Sequence, residues 1–422
     1  MKIDPNPQVS NPKQVVVIGA GITGAMLSYK LLLAGHRVTC VEAEHIASGS
    51  SARSAACVRA QWGTETNVRA MRRSIQFYAK LSRILGCQEV QMIRQNGYLY
   101  PCFDEESLNV RRGLYELQRQ AGLEEVEFLD GKELHERFPH VNKEVLGGTF
   151  CGIDGFCEPQ KICQVIFDWC KVDPGFELLQ HARVIGVDRQ RNKASAVVTP
   201  QGRIGGDVFV NATNAWAPRV AALFHDEDEK RRWAIPIHPE KRVLHFLEKG
   251  GWHQKQFDAL PMTIFPSGAY CRPFTGDLMI GWEEELPPEH HFSHSDQDVV
   301  PSGYGHEDPD SHGSRTWVEI ARWSEVIGRL PGIKATSSGY YGITPDRHHV
   351  IDYDLFVENL IHVAGCSGHG VMSAPFNADV VTYLVAVGRG VDVMYLNDEE
   401  FSLLPFASDP IRRTGIIDPT HL

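Results

Sequence analysis

The first long apolar run in the chain is Val15 to Ile18, four residues with no polar interruption, as expected of a strand covered on both faces. The turn GAGITG follows, and apolar residues then recur at helical spacing from about Thr23 to Ala34, where Gly35 supplies a C-terminal stop. A second strand, Arg37 to Val41, delivers Glu42. Helical patterning returns from about Thr66 to Leu85, from about Glu105 to Ala121 and from Pro159 to about Lys171. Between these, Gly97 to Tyr100 reads as a short strand. Strands around Leu178–Arg183, Val184–Asp188 and Ser195–Thr199, turning at Arg191-Asn192 and at Pro200 to Gly202, suit an antiparallel meander. Gly205 to Asn211 reads as a buried strand entering a helix through NATNAWAPRVAALF, and Ile235 to Trp282 is strand-rich. Glu285 to Ser314, rich in His, Asp, Pro and Gly, reads as a solvated loop or lid; its five histidines (His290, His291, His294, His306 and His312) have no spacing that fits one helix face. Leu360 to Arg389 gives a strand, a glycine turn and a helix to about Val387.

The residues from Gln14 to Glu44 predict a dinucleotide-binding unit, because each residue type meets a separate demand. Gly19 turns the chain off its strand, Gly21 leaves room for a pyrophosphate, and Gly24 lets the helix pack closely on the strands. The helix then directs free N–H groups and its positive dipole end at the phosphates. Glu42 stands where a carboxylate accepts hydrogen bonds from the adenosine ribose, which disfavours a 2′-phosphate and hence NADP. The motif by itself leaves FAD and NAD open.

Length and composition narrow the classes. At 422 residues, two domains are expected, and 42% hydrophobic with 23% charged residues is ordinary for a globular enzyme. A net charge of -11 argues against a nucleic-acid surface while leaving room for a small anionic substrate held by one or two arginines. The apolar stretches are shorter than a membrane span, the N-terminal MKIDPNPQVSNPK lacks the apolar core of a signal peptide, and ten scattered cysteines predict free thiols in the cytoplasm. Cys151, Cys157, Cys163 and Cys170 contain no CxxC pair, so no metal site is predicted.

Taken together, GAGITG with Glu42, GSSARSAACVRAQW, VNATNAWAP, YCRPFTGDLMIGW, YYGITPD and AGCSGHGVMSAP resemble the D-amino acid oxidase superfamily of flavoproteins, in its glycine oxidase and sarcosine oxidase branch. The resemblance covers almost the whole chain. It implies an α/β fold in which an FAD-binding Rossmann-like domain of the glutathione reductase type (1–90, 151–230 and 331–422, the last with a C-terminal tail) is interleaved with a mixed-sheet α+β substrate domain (91–150 and 231–330). Carried over position by position, it gives Gly19, Gly21, Ile22, Thr23 and Gly24 to the pyrophosphate and Glu42 with Ala43 to the adenosine ribose. Ser50, Ser51, Arg53 and Ser54 would follow the pyrophosphate and ribityl chain, Val184 the adenine, and Gly342, Gly368, His369, Gly370, Val371 and Met372 the isoalloxazine end.

Arg59 falls where relatives contact the substrate carboxylate; a surface arginine is the plainer reading. Arg272, Tyr270, Glu283 and His369 are further candidates at the substrate end, as anion ligand, cavity wall, ammonium ligand and turn residue. Three departures from the sarcosine oxidase pattern change the expectation. Gly339 stands where a cysteine attaches flavin, so FAD is expected to be noncovalent. Met279 replaces a lysine credited with oxygen activation, which weakens the oxidase reading, and Met372 replaces a carboxylate-binding lysine, which weakens sarcosine as substrate. The expected reaction is FAD-dependent oxidation of a small anionic primary or N-substituted amine, an amino acid, N-methyl amino acid or aminophosphonate. Its imine hydrolyses, and oxygen or another acceptor takes the electrons. A 2-hydroxy-acid or polyol-phosphate dehydrogenase and a non-catalytic flavoprotein subunit or assembly factor are the alternatives, and an oligomer is compatible with all three.

Overall fold

The computed structural model describes residues 11–283, 299–397 and 399–408. In chain order the elements are β1 (Gln14–Ile18), α1 (Ile22–Leu33), β2 (Arg37–Val41), β3 (Cys57–Val58), α2 (Glu65–Ile84), β4 (Ile93–Arg94), β5 (Tyr98–Cys102), α3 (Glu105–Gln120), β6 (Val126–Asp130), α4 (Gly131–Arg137), β7 (Gly147–Cys151), β8 (Gly155–Cys157) and α5 (Pro159–Cys170). There follow β9 (Phe176–Leu179), β10 (Gly186–Gln190), β11 (Lys193–Thr199), β12 (Gly202–Gly205), β13 (Val208–Asn211), α6 (Ala217–Phe224), α7 (Glu227–Arg232), β14 (His238–Glu248), α8 (Gln254–Asp258), β15 (Met262–Ile264), β16 (Tyr270–Phe274) and β17 (Asp277–Gly281). The last are α9 (His312–Trp323), α10 (Glu325–Gly328), β18 (Ile333–Ile343), β19 (Val350–Tyr353), β20 (Leu360–Ala364) and α11 (Gly370–Val387), beyond which lie a short hairpin and a 3-10 turn.

Two large sheets organise the molecule. The first has the order β19-β20-β13-β1-β2-β9, parallel except for the β19–β20 pair. Strand alternation explains the unbroken apolar run of β1: Val15 and Val17 enter the core shared with α1, α2, α5 and α11, while Val16 and Ile18 enter a second core with Phe209 and Phe224. Both faces are therefore covered. The helix α11 is long and apolar enough to cross a membrane, yet 78% of it is buried inside the fold, where it packs on α1 and α2 as a core helix.

The second sheet is mixed, with the order β18-β14-β17-β16-β15-β5-β7-β6. Its two parts, far apart in sequence, are joined by the parallel pairing of β5 with β15. The meander β10-β11-β12 and the small sheet β3-β8-β4 complete the topology. The division at residue 331 is corrected by the pairing of β18, which runs antiparallel along β14 from His238↔Ile343 to Leu247↔Ile333 and so belongs to the second sheet. The strand expected at Leu178–Arg183 is the shorter β9, because His181 adopts φ +56 and breaks the extended run, and the one expected at Val184–Asp188 is displaced to β10, Gly186–Gln190. His290, His291 and His294 lie outside the described residues; His312 begins α9 behind the Ser311 cap.

One irregularity has its own compensation. Pro375 lies inside α11 and has no N–H for the carbonyl four residues earlier. That carbonyl, of Val371, accepts a 2.6 Å hydrogen bond from the buried Tyr78 hydroxyl on α2.

Candidate active site

A cleft of about 930 Å³ runs along the ends of β1, β2, β13 and β20. At one end Gly19, with φ +107, turns the chain toward α1, whose N-cap is Gly21. The Ile22 N–H donates to Ser51 Oγ at 3.0 Å, and a Cβ at Gly21 would stand 3.1 Å from that oxygen. A Cβ on Gly24 would meet the Gly19 carbonyl at 1.9 Å, so Gly24 serves helix packing and does not line the cleft. Glu42 accepts from the Ala20 and Glu44 N–H groups at 2.8 and 2.9 Å, which orients its carboxylate on the cleft wall beside Ala43. Ala182, Arg183 and Val184 close this end.

The segment after β2 continues the wall. Ser50 to Arg53 form a 3-10 turn, the Ser50 hydroxyl donates to the Tyr340 carbonyl at 2.7 Å, and Arg53 Nη1 donates to the carbonyls of Ser48 and Gly49. Ser54 lines the cleft too, its Oγ accepting from the Ala56 N–H at 2.8 Å. At the far end stand Gly339, Tyr340 and Tyr341 of β18, then Cys366, Gly368, Gly370 and Val371. Gly368 has φ +87 and lies against the Tyr341 ring, where a Cβ would approach to 2.6 Å. Asn214, at φ +48, accepts from the Cys366 N–H at 3.0 Å and ties the turn after β13 to this end.

Arg59 is 6% exposed and stands behind the cleft. Its guanidinium lies 4.4 Å from the Trp62 ring centroid and donates to the Tyr100 hydroxyl. Trp62 in turn meets the His369 ring edge-on at 4.6 Å. A continuous stack therefore leads from Arg59 to the Gly368–Gly370 turn. The strap carrying Arg59 is held by Asp154, fully buried, which accepts from the Ala60 N–H at 2.7 Å and the Gln61 amide at 3.2 Å. Burial pushes the Asp154 carboxyl up to about 7, against the pull of those donors and of the Arg59 charge.

The other substrate-end candidates have different surroundings. Arg272 donates to the Ala55 carbonyl at 2.7 Å and to the Pro273 carbonyl at 2.8 Å, and its guanidinium lies over Phe156 at 4.6 Å; it braces the Arg59 segment from behind and does not line the cleft. Tyr270 joins an aromatic cluster with Tyr98, Tyr100 and Phe156, its ring filling the space over Gly281. Glu283 is exposed and outside the cleft lining. Strand alternation decides these orientations, and for isolated residues in a mixed sheet the sequence does not reveal which face is inward. Arg242 was not singled out from the sequence although it lines the cleft, with its guanidinium 5.5 Å from the Tyr341 ring centroid and in an ion pair with Glu240.

The FAD dependent oxidoreductase (DAO) family model matches residues 14–384. The chain belongs to this family. It is 24% identical to FAD-dependent oxidoreductase domain-containing protein 1 of Bos taurus, over 93% of this chain and 83% of that protein. It is 23% identical to the glycine oxidase of Bacillus licheniformis, over 88% of this chain and 92% of the relative. The crystal structure of L-proline dehydrogenase from P. horikoshii superposes with a TM-score of 0.79 at 27% identity, covering 94% of this chain and 97% of that one.

As a DAO family member the protein uses FAD, and the residues present fit it. The N-termini of α1 and α11 open into one cleft, and neither N-cap residue, Gly21 or His369, caps its helix with a side chain; Ser51 Oγ takes the Ile22 N–H, and the other first-turn N–H groups are left for the pyrophosphate and the electron-accepting end of the flavin. Glu42 would hold the adenosine ribose. Of the residues expected at the cofactor, Gly24, Gly342 and Met372 do not line the cleft. A Cβ on Gly342 would stand 3.0 Å from Asn214 Oδ1, and Met372 is buried in the core beneath the α11 N-terminus. His369 turns away from the cleft toward Trp62.

Proposed function

We propose that this protein oxidises the carbon–nitrogen bond of a small anionic amine, a primary or N-substituted amino acid or aminophosphonate. The observation that carries the reading is the buried Arg59 guanidinium, stacked on Trp62 and through it on the His369 turn at the flavin end of the cleft. When bound, FAD accepts the two electrons of the breaking C–H bond. Arg59 holds the substrate anion in a planar, charge-assisted contact beside the buried aromatic cluster of Tyr98, Tyr100, Phe156 and Tyr270. An amine entering neutral gives up its α-hydrogen with the electron pair and its N–H proton as the C=N bond forms, so no strong side-chain base is needed. Water then adds to the imine and the C–N bond breaks, leaving an aldehyde or keto acid and an amine. We assign the electrons to oxygen, giving hydrogen peroxide. Two relatives, a glycine oxidase and an L-proline dehydrogenase, are named for amino-acid substrates, which supports the same class here.

The test is anaerobic bleaching of the flavin by N-methyl amino acids, cyclic and primary amino acids, aminophosphonates and 2-hydroxy acids. Bleaching by amines, with peroxide formed on admitting oxygen, is the expected result. Bleaching by hydroxy acids alone overturns the amine reading, and bleaching by none overturns catalysis of this class.

A further inference from the structure

A second guanidinium stands beside Arg59. Arg111, on α3, lies with its guanidinium carbon 3.7 Å from the Tyr100 ring centroid, and the Arg59 carbon lies 5.8 Å from the same centroid. Arg59 also donates to the hydroxyl of that ring. Arg111 Nη1 is buried and has no hydrogen-bond partner, and no carboxylate lies within ion-pair distance of Arg111 among the described residues. Two cations converging on one aromatic ring repel each other, and the ring's π-face offsets only part of that. An anion at this point would relieve the repulsion and fill the orphan donor.

The helix is oriented for this. Gln118, seven residues after Arg111 and thus on the same face, donates its Nε2 to the Trp62 carbonyl at 3.0 Å. That contact fixes the Arg111 face of α3 against the strap bearing Arg59 and Trp62. Gln118 Oε1 and Gln61 Oε1, both buried, are acceptors without partners.

We propose that Arg111 is a specificity-determining residue that binds a second anionic group of the substrate, so that the preferred substrates are amines carrying two anions, one for each of Arg59 and Arg111. This rests on the amine reading above. It predicts preference for iminodiacetate over sarcosine, which differ only by one carboxylate, and for N-methylaspartate over N-methylalanine.

The test measures apparent Kd and limiting reduction rate for both matched pairs by anaerobic stopped flow, in the FAD-loaded wild type, Arg111→Gln and Arg111→Lys. In the wild type each dianion should bind at least 10-fold more tightly than its monoanionic partner, as expected for a charge-assisted contact. Arg111→Gln should remove that advantage while changing the monoanion constants less than 2-fold, and Arg111→Lys should restore part of it. Equal wild-type constants for dianion and monoanion overturn the second-anion site and leave the amine reading intact. So does an Arg111→Gln variant whose constants rise equally for both members, since that marks a structural stack on Tyr100. If Arg111→Gln fails to retain FAD, the wild-type and Arg111→Lys constants still decide between the two outcomes. No bleaching by any member of either pair, with bleaching by other amines, also overturns the site; no bleaching by any amine overturns the reading beneath it.

Discussion

Replacing Tyr78 by phenylalanine removes one oxygen, and the structure says where the loss falls. The phenol donates at 2.6 Å to the Val371 carbonyl, the acceptor that Pro375 leaves without its helical N–H. Tyr78 is 1% exposed and Val371 6%, so water does not replace the lost donor. Burial also holds the Tyr78 phenol well above its ordinary pKa, so it remains a donor. A buried carbonyl stripped of its partner costs about 1–3 kcal/mol. The same change made together with Pro375→Ala should cost under about 1 kcal/mol, because the backbone N–H which that substitution restores then reaches the Val371 oxygen in the ordinary i to i−4 pattern. The double-mutant cycle from urea unfolding midpoints should thus give a positive coupling, about 1–2 kcal/mol from the middles of those two ranges. Val371 lines the cleft, so FAD should also bind less tightly to Tyr78→Phe and recover in the double variant. Equal losses from Tyr78→Phe in both backgrounds would refute the reasoning, and would assign Tyr78 a packing role only.

Gly368→Ala combines a left-handed backbone with a Cβ 2.6 Å from the Tyr341 ring, so the purified variant should show at least a 10-fold loss in FAD affinity, read from flavin absorbance on titration. Acid precipitation of the holoprotein should release all FAD to the supernatant. A Cβ at Gly339 would stand 2.7 Å from the Arg53 Cβ, and burial holds the cleft thiol of Cys366 protonated with its pKa raised to about 12; a yellow pellet would contradict this. Asp154, raised to about 7 by burial, binds a proton in the native state between about pH 4 and 7 that the unfolded carboxyl has released. Wild-type stability should therefore fall relative to Asp154→Asn as pH rises through that window, and an unfolding series in which the gap stays constant would show that Asp154 does not titrate there.

What the sequence revealed and what it concealed follow from distance along the chain. The unit β1–α1–β2 is local, each glycine answers a local demand, and its limits lie within a few residues of the hydrophobic pattern. The Gly368–Gly370 turn was legible for the same reason, as strand, turn and helix. Arg59 could be singled out only because its segment resembles that of relatives. Its partners Tyr100, Arg111 and Asp154 come from three other elements, and none has a motif. β5, α3 and the turn before β8 carry them to one point through sheet pairings that periodicity does not encode. Pro375 was visible inside an apolar helical pattern, but its compensation by Tyr78 depends on the packing of α2 on α11.

The central claim is that a buried arginine behind the flavin cleft binds the anion of an amine substrate. It is tested most directly by anaerobic titration of wild type and Arg59→Met with the amine that bleaches the wild-type flavin fastest. Loss of one charge-assisted contact, about 1.5–3 kcal/mol, should raise the apparent Kd by at least 10-fold, with FAD still bound and the limiting reduction rate changed by only a few-fold. An unchanged Kd in Arg59→Met would contradict the account.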